Sequence, residues 1–178
     1  MNLILCGMMG AGKTTIGIKI AEVSGRRWYD TDGIIVDRYG KISDIFEYYG
    51  ENYFRKIETE IVKELASRDR LVISTGGGLV LKEENTALLK KNGLIVFLRA
   101  SFETLVKRLK VDGTRPLLQS NTESIRERLV RLLEERTPIY QSVADLIVDV
   151  DGKTPEELAR EIYGWYTEID RCKGAGAQ

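Results

Sequence analysis

Histidine is absent from the 178 residues, which excludes His-based triads, imidazole metal sites and imidazole general bases. Any proton transfer falls to Asp, Glu, Lys or water. Cysteine occurs twice, Cys6 within an apolar run and Cys172 near the end, in neither C-x-x-C nor metal-ligand spacing, so a disulfide framework and a thiolate metal site are excluded. Net charge is lacking too. Lys+Arg and Asp+Glu number 27 each, leaving no overall field for nucleic acid or an anionic membrane, and any anion must be met by locally gathered charge. No run approaches the roughly 18 apolar residues of a membrane span, and no signal-peptide core precedes the first apolar run. A cytoplasmic protein without nucleic-acid or membrane partners is expected, with its function in a pocket.

One sizeable core is what this length supports. Five apolar runs, Leu3-Ile4-Leu5-Cys6, Trp28-Tyr29, Leu71-Val72-Ile73, residues 94–98 and Leu146-Ile147-Val148, alternate with helical patterns. Such uninterrupted runs predict strands buried on both faces of a parallel sheet, an α/β fold. Helices are predicted over 13–24, closed by Gly25; over 43–67, interrupted near Gly50; over 83–91; around Phe102, Leu105 and Leu109; and from about 123 to 136–138. A last helix opens with the capping box Thr154-Pro155-Glu156-Glu157 and carries Leu158, Ile162, Trp165 and Ile169 on one face. Residues 1–170 read as a single domain and 171–178, with alternating Gly and Ala, as a disordered tail. No apolar seam demands a partner, so a monomer is expected.

The first strand runs into Gly7-Met8-Met9-Gly10-Ala11-Gly12-Lys13-Thr14-Thr15, which fits G-x-x-x-x-G-K-[ST]. In this loop backbone N–H groups wrap phosphates, the lysine reaches the β/γ-phosphates and a hydroxyl holds Mg²⁺. Glycine is required because the loop adopts positive φ and approaches the phosphates without a Cβ in the way. The following helix presents its N-terminal N–H groups to the same anion. A nucleotide-binding strand, loop and helix is the reading that this order supports.

The second strand exits through Asp30-Thr31-Asp32. On an extended chain two carboxylates at i and i+2 share a side, here facing the crevice beyond the carboxyl ends of the strands. One is suited to the Mg²⁺ shell and the other to an acceptor hydroxyl; a plain helix cap is the competing account. The third strand ends at Ser74-Thr75 and Gly76-Gly77-Gly78, where many P-loop enzymes place an Asp, so the metal shell must draw on Thr14, phosphates, water and Asp30. The three glycines suit close contact with a small oxygen-rich molecule, or a plain turn. Residues 111–121, rich in turn formers and long for a connection, read as a lid carrying Arg115. Arg55 with Glu58, and Arg136 before Pro138, are surface residues on periodicity alone; read more sharply, they are arms for a carboxylate, which a guanidinium fork matches bidentately.

Taken together, G-M-M-G-A-G-K-T-T, D-T-D at 30–32, F-R-K-I-E at 54–58, G-G-G at 76–78, R-P-L-L at 115–118 and R-T-P-I-Y at 136–140 resemble shikimate kinase, in family order and over nearly the whole chain. The resemblance implies a nucleoside-monophosphate-kinase-like three-layer α/β/α fold, with five parallel strands in the order 2-3-1-4-5, a substrate-binding region at about 32–62 and a lid at about 111–121. It also implies transfer of the ATP γ-phosphate to the 3-hydroxyl of shikimate, with ADP as the other product. By position, Asp32, Arg55, Gly76, Gly77, Gly78 and Arg136 resemble the shikimate ligands. Lys13, Asp32 and Arg115 resemble the catalytic set. Gly10, Ala11, Gly12, Lys13, Thr14, Thr15, Arg108, Arg115, Lys153 and Pro155 match nucleotide positions, and Thr14 and Asp30 the Mg²⁺ positions. A kinase of another hydroxylated carboxylic acid, or a catalytically silent ligand-binding relative, is the alternative.

Overall fold

The computed structural model describes residues 1–111 and 125–175. Five strands, β1 (Asn2–Cys6), β2 (Arg27–Asp30), β3 (Leu71–Ser74), β4 (Gly93–Arg99) and β5 (Leu146–Asp149), form one sheet in the order β2-β3-β1-β4-β5. Every pairing is parallel, with Leu3 opposite Val72 on one side and Leu94 on the other. Helices α1 (Lys13–Ser24), α2 (Thr31–Tyr39), α3 (Ile42–Ala66), α4 (Glu83–Lys90), α5 (Phe102–Val111), α6 (Ile125–Val143) and α7 (Pro155–Ala175) make the connections, with a 3-10 turn at Leu79–Leu81. Right-handed crossovers put α1 on the face opposite α3 and α4, and α7 packs on α1. Both faces of β1 are therefore covered, and Leu3, Ile4, Leu5 and Cys6 have no exposed surface. The chain leaves β1 toward one sheet edge and β3 toward the other. The crevice between their carboxyl ends is the switch point where ligands bind in such sheets. No described helix is long and apolar enough to cross a membrane.

Three expectations about the elements are corrected. Asp32 is not on an extended chain, because α2 begins at Thr31 and Asp30 caps it, Oδ1 accepting from Asp32 N at 3.0 Å and Gly33 N at 3.3 Å. Helix α6 does not stop at Pro138 but continues to Val143. Proline there costs roughly 3 kcal/mol. Fully buried Tyr140, packed on Phe97 at 5.1 Å between ring centroids, offsets that cost. Helix α7 runs through 171–175, where a disordered tail is expected, since a helix already docked through buried Tyr166 extends at one hydrogen bond per residue. The capping box of α7 forms as expected, Glu157 N donating to Thr154 Oγ1 and Thr154 N to Glu157 Oε2. The interruption of α3 falls at Gly50, with φ 79°.

Candidate active site

Gly10 and Gly12 take φ of 82° and 99°, which lets the loop after β1 curl over the start of α1. Lys13 is nearly buried, and its Nζ donates to the loop carbonyls of Gly7 at 2.8 Å and Met8 at 2.9 Å. These bonds fold the ammonium back onto the loop. A second tie comes from β3: Trp28 Nε1 donates to Ser74 Oγ, which donates to Lys13 O at 2.9 Å. Ser74, at a strand end where many P-loop enzymes place an Asp, thus fixes the helix start mechanically rather than electrostatically. Arg108 on α5 donates from Nη1 to Gly10 O at 2.9 Å. Lys153, paired to Glu161 at 2.6 Å, and Pro155 at the start of α7 close the far side.

These elements bound a cleft of about 820 Å³ lined by Gly10, Gly12, Lys13, Thr14, Thr15, Asp30, Asp32, Arg108, Lys153 and Pro155, among others. Of the expected nucleotide positions, Ala11 is buried beneath it. Arg115, with the lid from 112 onward, lies outside the described residues. Thr14 Oγ1 donates to Asp30 Oδ2 at 2.7 Å, which places one hydroxyl and one carboxylate side by side at the loop. Among the described residues no group of three or more acidic or thiol side chains stands ready for a metal. A hydroxyl and a single carboxylate suit an ion that keeps most of its waters and takes phosphate oxygens, which is the habit of Mg²⁺.

A second cleft, about 730 Å³, adjoins the first; Asp32, Val36 and Gly77 line both. Its walls carry all six expected acceptor residues, Asp32, Arg55, Gly76, Gly77, Gly78 and Arg136. Its floor is apolar: Met9, Ile42, Phe46 and Phe54, with the two phenylalanine rings 4.8 Å apart. Neither arginine is a surface residue. Arg55 is 24% exposed and donates from Nη1 to Glu58 Oε2 at 2.6 Å, Glu58 being 1% exposed. Burial pushes the Glu58 carboxyl above its ordinary range, and the Arg55 guanidinium opposes that rise. Arg136 is 8% exposed, and its buried Nη1 has no hydrogen-bond partner among the described residues.

The glycine run serves clearance as much as contact. Gly76 N is committed to Thr31 Oγ1 at 2.8 Å. A Cβ at Gly76 would overlap Asp32 Oδ1, and one at Gly78 would stand 2.7 Å from Arg55 Nη1. Sequence reasoning missed the roles of Thr31 and of Tyr140 in pinning this run, the Tyr140 hydroxyl donating to Gly77 O and touching Met8 Sδ, and that of Ser74 with Trp28 in tying the start of α1. Burial pushes the Tyr140 hydroxyl up to about 12, so it stays a donor at neutral pH. The R-T-P-I-Y spacing held the clue, since i and i+4 on a helix share a face. Met9, Ile42 and Phe46 carried no signal beyond being apolar.

Residues 9–167 match the family model described as shikimate kinase. A curated shikimate kinase of Thermodesulfovibrio yellowstonii is 43% identical over 97% of this chain and 98% of its own. One from Streptococcus gordonii is 44% identical over 97% and 99%. Among solved structures, the shikimate kinase from Acinetobacter baumannii in complex with shikimate superposes with a TM-score of 0.88 at 38% identity, covering 94% of this chain and 93% of that one. A gluconokinase from Sinorhizobium meliloti, 19% identical with a TM-score of 0.62, shares the fold.

Proposed function

This chain belongs to the shikimate kinase family, and from that premise we infer that it transfers the γ-phosphate of ATP to the 3-hydroxyl of shikimate, giving shikimate 3-phosphate and ADP. The observation that carries the acceptor assignment is the buried, unpartnered Nη1 of Arg136 in the same cleft wall as Arg55. A buried donor without an acceptor costs about 1–3 kcal/mol, which a substrate carboxylate reaching both guanidiniums would recover. The apolar floor suits a carbocycle and the glycine run its hydroxyls.

Phosphoryl transfer asks mainly for alignment and charge stabilisation. The nucleotide occupies the larger cleft with its phosphates in the loop, Lys13 turning from the Gly7 and Met8 carbonyls toward them. Asp32, on the wall common to both clefts, receives the acceptor hydroxyl and directs its oxygen at the γ-phosphorus. Thr14 and Asp30 are the residues that would hold Mg²⁺, Thr14 directly and Asp30 through the hydroxyl and water. When bound, the ion offsets charge on the β- and γ-phosphate oxygens.

A monomer is part of the same proposal, and two free thiols, one buried and one exposed, are in keeping with the reducing cytoplasm. ADP release, measured with MgATP and a panel of sugar acids, polyols and shikimate, tests the reading. Turnover that depends on shikimate is expected; none with shikimate overturns the assignment. Light scattering checks the monomer.

A further inference from the structure

Arg55 is held by two carboxylates of different kinds. Glu58 takes Nη1 at 2.6 Å from the core side and is 1% exposed. Glu51, 62% exposed, comes from the solvent side; its Oε1 accepts from Nη2 at 2.9 Å and from Nε at 3.2 Å. The Nε/Nη2 edge is one of the two edges of a guanidinium that match a carboxylate bidentately. Glu51 therefore sits on the part of Arg55 that an incoming carboxylate needs. Its backbone position is set by the kink of α3: Gly50, at φ 79° and ψ 171°, breaks the helix immediately before Glu51, which opens the second half.

We propose that Glu51 is a specificity-determining residue that competes, within the chain, with the carboxylate of the acceptor for the Nε/Nη2 edge of Arg55. The proposal rests on the acceptor assignment above. Charge decides which partner yields. Arg55, Arg136 and Lys41 bring three positive charges to this cleft; Glu58, Asp32 and the acceptor carboxylate balance them, and Glu51 in place would leave an excess negative charge beside the ligand. Glu58 cannot leave, since it has no solvent to enter. Glu51 can, because water lies on its outer side and the first turn of a helix favours a carboxylate. A neutral molecule has no means of displacing it, so the pair screens acceptors for charge at the edge of the cleft.

The test is a comparison of E51Q and E51A with the parent, with shikimate and its methyl ester as acceptors at saturating MgATP. The expected result is a KM for shikimate lowered about two- to five-fold, the upper end corresponding to an exposed pair worth about 1 kcal/mol. The KM for MgATP and the kcat for shikimate stay unchanged, and KM for the ester moves less than two-fold. A merely structural pair would lower stability and leave shikimate KM unchanged or raised, and either outcome overturns the proposal. Equal gains for acid and ester also overturn it. If the parent itself neither binds nor turns over shikimate, the acceptor assignment falls first; if it does and the variants match it, only the role of Glu51 falls.

Discussion

Thr14 Oγ1 donates to Asp30 Oδ2 at 2.7 Å while Oδ1 of that carboxylate caps α2. One side chain thus fixes the entry of the acceptor-side helix and the hydroxyl of the phosphate loop. Asp30 is both the plain helix cap and the candidate metal-shell residue, one oxygen for each duty.

Substitution separates the duties. Asn is as good an N-cap as Asp, so D30N is expected to keep the melting temperature while raising the Mg²⁺ concentration that turnover needs by about 10- to 100-fold, the usual effect of altering a partner of a metal ligand. D30A should lose roughly 1 kcal/mol of stability as well. Magnesium titrations of turnover beside thermal melts decide it; an unaltered Mg²⁺ dependence in D30N removes Asp30 from the metal site.

Arg136→Ala should weaken shikimate binding by about 2–5 kcal/mol, the cost of unpairing a desolvated charge contact, with ADP affinity retained because Arg136 lines only the acceptor cleft. R136K should recover little, lacking the planar fork. Calorimetric titration of each ligand separates the two; a parallel loss of ADP binding would point to misfolding instead.

Glu58 supplies a pH dependence of stability. Its carboxyl is raised in the folded chain by burial against the pull of Arg55, so the folded state binds its proton more tightly than the unfolded state. Its contribution is therefore fully present below the ordinary glutamate pKa of about 4.3 and is lost as pH rises through the raised value. E58Q, which cannot titrate, should flatten that part of the stability profile, and R55A should steepen it. Denaturant melts across the acid-to-neutral range give the slopes; identical slopes for the parent and E58Q would show that Glu58 does not contribute.

Tyr140→Phe leaves the Gly77 carbonyl without its donor, at a cost of roughly 1–3 kcal/mol. Because Gly77 lies on the wall between the clefts, the loss is expected in shikimate KM and melting temperature together. A variant with unchanged KM would mean that the glycine turn holds its shape without the tyrosine.

Local pattern carried much of the architecture. The phosphate loop, the strand runs and the capping box of α7 each depend on neighbours within a few residues, so spacing alone located them. Helix α2 escaped because Asp30-Thr31-Asp32 is compatible both with an extended strand exit and with a helix cap; the cap is what forms, Asp30 Oδ1 accepting from Asp32 N and Gly33 N. Pro138 misled for the converse reason: the local cost it signals is real, but the packing of Tyr140 across the molecule outweighs it.

By itself the sequence pointed to a phosphate-binding loop after β1, and its motif order resembled one family of kinases. Only the tertiary structure decided that Arg55 and Arg136, 81 positions apart in the numbering and surface residues by periodicity, are sunk into one cleft wall. It likewise decided that the three glycines make room for Asp32 and Arg55. The physical reason is that burial and clearance are properties of what packs against a residue, and in a parallel sheet those neighbours come from strands and helices far away in the chain.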